Sequence, residues 1–128
     1  MKIFDILFED GAEPEPHEIQ TALFLRKTGK KITFIAPKNR TGVKTPDIRM
    51  DSLHWEIKSP MSASARSIEH AFRSALKQSG NVIFDLRRSK ASDMANLAKI
   101  NRQIKLIKGK KLRRVLVITK KEKLLDLK

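Results

Sequence analysis

"TPDIRMDSLHWEIKSP", residues 45–60, holds two short runs of alternating side chains around a polar centre. Ile48 and Met50 supply the apolar positions of the first run, and Leu53, Trp55 and Ile57 those of the second. A period of two is the signature of half-buried strands. Asp51–Ser52 stands between the runs as a tight turn. The spacing predicts a hairpin with strands at 46–50 and 53–59, closed by Pro60. Alternation places Glu56 and Lys58 on one side of the second strand, with Trp55 and Ile57 on the other. Asp51 belongs to turn chemistry. The antiparallel return brings Asp47 alongside Glu56 and Lys58, so carboxylates and an ammonium converge at one end of the hairpin.

The pattern changes on either side of this hairpin. "HEIQTALFLRKTG" (17–29) repeats apolar residues at helical spacing, with Pro16 at its first turn and Gly29 as its stop. "KKITFIAP" (30–37) reads as a strand. "KIFDILF" (2–8) reads as a short strand or one helical turn. After the hairpin come a helix at 64–80 stopped by Gly80, a strand at 81–86, a helix at 92–109 capped by Ser92 and a strand at 113–119. "KLLDLK" adds a last edge strand. The order is αβββαβ plus a C-terminal helix and strand. That order predicts an α/β domain spanning 1–128, a central mixed β-sheet flanked by helices.

With 28 Lys+Arg against 14 Asp+Glu, the 128-residue chain carries a formal charge of +14. One small domain with that field expects a polyanionic partner, and nucleic acid leads. Cysteine is absent, which excludes disulfides, thiolate metal sites and cysteine nucleophiles. No run approaches the roughly 18 apolar residues of a membrane span, so no membrane segment is expected. There is no glycine-rich phosphate loop and no serine nucleophile elbow. Aromatic residues make up only 5%, which argues against base stacking but not against backbone recognition.

Against that basic background the hairpin acids stand out. Asp47 and Glu56 are the hard oxygen donors that Mg²⁺ or Mn²⁺ prefers, with Zn²⁺ as an alternative. The Ile57 carbonyl can add a ligand. A divalent ion there suits phosphodiester hydrolysis, and Lys58 can hold the attacking water or offset charge on phosphorus. Lys38, Arg40, Lys44, Arg66, Arg73, Arg87, Arg88 and Lys90 are candidate phosphate contacts around such a cleft. "KGKKLRR" (108–114) is the densest basic run, a tether to nucleic acid or a solvated loop. His17, His54 and His70 share no metal-ligand spacing and read as structural, although His54 alternates with Glu56.

Pro46–Asp47 followed by Glu56–Ile57–Lys58 resembles the signature of the PD-(D/E)XK nuclease superfamily. Its core of helix, three antiparallel strands, helix and strand is the order read above. The resemblance implies metal ligation by Glu18, Asp47 and Glu56, with Lys58 catalytic. Glu18 is also an acid that a helix N-terminus favours. Gln78 or Lys77 matches a residue that the following helix turns toward the site. From 17 to 127, "GVKTPDI", "WEIKSP", "RSIEHAFRSALKQSGNVIFDLRRSK" and "RVLVITK" look like the tRNA-nuclease domain at the C-terminus of contact-dependent growth inhibition toxins. That implies a metal-dependent RNase acting on tRNA and a cognate immunity protein. The cytoplasm, of this cell or of a target cell, would be its workplace. Homodimers are common among such nucleases. A DNA endonuclease with the same site and a non-catalytic basic nucleic-acid-binding protein are the rival readings.

Overall fold

The computed structural model describes residues 6–38, 45–62, 64–107, 109 and 111–128. Its elements in chain order are β1 (Ile6–Phe8), α1 (Pro16–Lys27), β2 (Ile32–Phe34), β3 (Ile48–Met50), β4 (Leu53–Lys58), α2 (Ala65–Ala75), β5 (Asn81–Asp85), α3 (Asp93–Leu106), β6 (Arg114–Ile118) and β7 (Leu124–Asp126). The strands form one seven-stranded sheet in the order β1-β2-β3-β4-β5-β6-β7. β2, β3 and β4 run antiparallel, whereas β4, β5 and β6 run parallel. Parallel neighbours need a crossover; α2 and α3 supply those of β4, β5 and β6, and α1 supplies that between β1 and β2. This is the expected mixed sheet flanked by helices. It is widened by β1, parallel to β2, and by β7, antiparallel to β6.

Alternation along the strands divides the core in two. Ile48, Met50, Trp55, Ile57, Ile83, Leu116 and Ile118 join Ala22, Phe24 and Leu25 of α1. Val82, Phe84, Val115 and Val117 join Ile68, Phe72 and Ala75 of α2 and Ile100 of α3. The sheet is therefore sandwiched, with α1 on one face and α2 and α3 on the other. The Ser92 cap and the Asp51–Ser52 turn act as read, and the structure adds a cap at Ser64. Ser64 and Ser92 cap α2 and α3 by accepting from the Ser67 and Ala95 amides. Gly29 turns the chain out of α1 at φ +93°. Asp51 and Ser52 take φ of 54° and 63°, the left-handed pair of a tight hairpin turn, and Lys30 Nζ binds Asp51 Oδ2 at 2.8 Å.

Two elements are markedly shorter than expected, and smaller trims fall at β3 and at the end of α3. The strand expected over 30–37 is confined to β2. The helix expected to reach Gly80 ends at Ala75, where the Gln78 and Ser79 amides both donate to the Ala75 carbonyl. Gly80 has another role. A Cβ there would come within 2.4 Å of the Lys111 carbonyl oxygen. It is a point of close backbone approach, not a helix cap.

Candidate active site

The site forms where β3 and β4 leave the hairpin and α1 begins. Asp47 is pinned from three sides. Its amide donates to the Trp55 carbonyl at 3.0 Å, and its carbonyl accepts from Ile35 at 3.0 Å. Its Oδ2 accepts from the Ile57 amide at 2.8 Å. Glu56 is 3% exposed. Lys58 Nζ lies 3.4 Å from Glu56 Oε2 and donates to Ser74 Oγ of α2 at 3.1 Å. Glu18 sits in the first turn of α1, where its Oε1 accepts from the Glu15 amide at 2.9 Å. Glu18, Asp47 and Gln78 line one cleft of about 260 Å³, walled by Pro14, Thr45 and Pro46. The structure thus gathers Glu18, Asp47, Glu56 and Lys58 into one neighbourhood.

Their electrostatics is that of carboxylates that cannot all be anions together. Burial, then the charge of Asp47, pushes Glu56 up to about 8, with Lys58 only partly opposing. Burial and Asp47 likewise push Glu18 up to about 7. Glu56 Oε1 is buried with no hydrogen-bond partner. An acidic cluster that strains to shed negative charge, with an orphaned carboxylate oxygen, fits a hard divalent cation. Among the described residues, no three acidic or histidine side chains already stand as a closed metal cage. Glu18 Oε1 is occupied by the helix N-terminus and Glu56 Oε2 faces Lys58. Glu18, Asp47 and Glu56 are the residues able to hold an ion.

The basic residues divide. Arg87, read from the sequence as a phosphate contact, is instead an internal clamp. Its guanidinium binds Asp85 at 2.8 and 2.9 Å and the Gln20 carbonyl at 3.0 Å, and lies 5.1 Å over the Phe24 ring. Burial alone would raise Asp85, but hydrogen bonds from Arg87 and Thr21 more than reverse it and hold it below the usual carboxylate range. Arg88 reaches Ser59, directly after Lys58, through Oγ at 3.0 Å and the carbonyl at 3.1 Å. Lys38 lines the cleft. Arg73 is exposed and paired with Glu69 at 2.9 Å. Arg66 lines the larger α2–α3 groove with Glu69 and Arg102, away from the acidic cluster. Lys77 is exposed, while Gln78 donates to the Thr45 carbonyl at 3.4 Å and faces the cleft. Lys90 is exposed, as is His54, which borders a neighbouring hollow. Arg40 and Lys44 lie outside the described residues.

Two neighbours of the cluster lie outside the residues that spacing singles out. Ser74 tethers Lys58; its only signal is a small polar side chain beside the apolar stripe of α2. His17 is drawn below its usual range by burial and by Arg88, against Glu15, Asp47 and Asp85. It borders the cluster because it is next to Glu18.

Fold and site together define a class: a mixed α/β domain with a carboxylate-and-lysine cluster where an antiparallel hairpin joins a parallel sheet. The family model for the contact-dependent growth inhibition CdiA C-terminal domain matches residues 44–124, and the chain belongs to that family. One chain of a CdiA-CT/CdiI toxin and immunity complex from Burkholderia pseudomallei has the same fold. The TM-score is 0.68 at 22% identity, over 96% of this chain and 98% of that one. No curated protein matches the sequence. Among the described residues, no helix is long and apolar enough to cross a membrane.

Proposed function

We propose that the chain is a toxin domain that hydrolyses phosphodiester bonds with a divalent metal ion, in the manner of PD-(D/E)XK nucleases, and that its substrate is RNA, tRNA in particular. The observation that carries this reading is the buried Glu56, flanked by Asp47 and held 3.4 Å from Lys58. Membership of the CdiA C-terminal family supports it. So does the formal charge of +14, which draws a polyanion toward a cleft whose own acids repel it. When bound among Glu18, Asp47 and Glu56, with the Ile57 carbonyl as a further ligand, the ion supplies Lewis-acid polarisation and a more acidic water. Mg²⁺ or Mn²⁺ suits these oxygen donors, and Zn²⁺ is the alternative.

The protein's own part is positional. Asp47 cannot swing away, because the Ile57 amide holds it. Lys58, steadied by Ser74 and Glu56, sets its ammonium where an attacking water or the charge gathering on phosphorus needs a donor. Water adds to phosphorus and releases one proton to solvent, the bond to the leaving oxygen breaks, and that oxygen takes up a proton in return. A cognate immunity protein belongs to this reading, since the similar structure is a toxin and immunity complex.

The test sets tRNA and plasmid DNA side by side, with metal and with chelator. Wild type should cleave tRNA only with metal. Glu56→Ala and Lys58→Ala should each lose about a hundred- to a thousandfold in rate while binding in a salt-sensitive way. Cleavage of plasmid alone moves the substrate to DNA. Cleavage of neither, or cleavage that chelator leaves unchanged, ends the metal-nuclease reading.

A further inference from the structure

We infer that the hollow beside the cleft, bounded by His54, Gln78, Lys111 and Arg113, is a second binding site that grips the nucleic-acid backbone next to the scissile phosphate. The inference rests on the nuclease reading and adds to it a place for the flanking strand. The hollow measures about 510 Å³. It shares Pro46 and Gln78 with the acidic cleft, so the two adjoin at those side chains. Their charge is opposite. Glu13, Glu18 and Asp47 line the cleft, whereas among the described residues no carboxylate lines the hollow, which has Lys111 and Arg113. Both cations are exposed, and among the described residues neither is in an ion pair. Arg114, the next residue, is different. It is bound to Asp126 at 2.9 Å and lies 5.4 Å over the Trp55 ring.

The hollow is built rather than incidental. The Arg113 and Arg114 amides donate to the Gly80 carbonyl at 2.7 and 3.2 Å. The absent side chain of Gly80 lets the Lys111 backbone lie against the entry to β5, where a Cβ would come within 2.4 Å. Ser79 Oγ and Asn81 Nδ2 donate to the His54 carbonyl at 2.8 and 3.0 Å, which fixes the opposite wall. Those polar groups are spent on backbone, and the two cations remain for a ligand. Paired cations without acids, adjoining the proposed cleft, suit successive phosphates. Such contacts position a strand without reading its sequence.

The experiment measures binding of fluorescently labelled deacylated tRNA across a salt series, by anisotropy, on a Glu56→Gln background. Cleavage kinetics are measured in the otherwise native protein. Lys111→Ala/Arg113→Ala is compared with Lys121→Ala/Lys123→Ala, exposed lysines past the far end of β6. All four positions are exposed, and unchanged thermal unfolding verifies the fold. The first pair should weaken binding about tenfold and flatten the log K against log salt slope by about 1.4, at about 0.7 for each lost phosphate contact. It should raise KM and leave kcat within about twofold. The second pair should change each quantity by less than about twofold. Equal weakening by both pairs, or none by the first, overturns the site, because the general positive field would then explain binding. If native protein cleaves no nucleic acid but the first pair alone loses binding, the nuclease reading falls and the site stands. If cleavage is normal and the pairs bind alike, the site falls and the nuclease reading stands.

Discussion

Glu56 shows at the scale of one residue how the site sets its own pH dependence. Burial and Asp47 raise its carboxyl to about 8 from an ordinary value of 4.5. Between those values the folded chain holds a proton that the unfolded chain has released. Its contribution to stability is complete below about 4.5 and is lost as pH rises through about 8. Glu18, raised to about 7, adds to the same trend. In chelator, Glu56→Gln should therefore raise Tm at pH 8.5, and the gain should fade toward pH 4.5. A variant that melts lower at pH 8.5 would contradict the burial of an ionisable acid beside Asp47. Asp47, Glu56 and Lys58 were legible in the sequence because strand alternation alone brings them to one end. Ser74 and the contact of Arg87 with Asp85 were not. Each depends on which helix packs over which strand, and local spacing does not carry that.

Among the elements, α1 shows how docking places a distant acid. Thr21 Oγ1 donates to Asp85 Oδ2 at 2.6 Å, and Arg87 ties the same carboxylate to the Gln20 carbonyl. Thr21 lies one helical turn from Glu18, so the clamp fixes the turn that presents Glu18 to Asp47. Asp85→Ala leaves Arg87 without its partner and should cost about 3 kcal/mol in denaturant unfolding. Cleavage should fall more than binding of tRNA, because Glu18 shifts while the basic surface stays. Full activity in a destabilised Asp85→Ala protein would show that the clamp supports the fold without positioning the acid. The start of α1 was legible from Pro16, whereas the end of α2 was not. Gly80 looked like a helix stop, and only the approach of the Lys111 backbone shows why glycine is there.

For the molecule as a whole, the sequence order of strands and helices was enough to foresee a mixed sheet between helices. Antiparallel neighbours need only short turns, and parallel ones need the crossovers that periodicity marked as α2 and α3. The β1 pairing was beyond reach, since a three-residue edge strand carries too little pattern to be told from a helical turn. The same contrast between near and far contacts has a consequence in time. Asp47, Glu56 and Lys58 lie within one hairpin, and hairpins close in about 1–10 μs. Glu18 arrives only with α1, whose bond to Asp85 joins residues 64 positions apart and waits on a much larger loss of chain entropy. Pulse-labelled hydrogen exchange during refolding should find amides of 47–58 protected before those of 16–27; protection of α1 first would refute this order. On the proposed reading, a chain caught midway would hold Asp47, Glu56 and Lys58 together and still lack Glu18, the acid that α1 brings from afar.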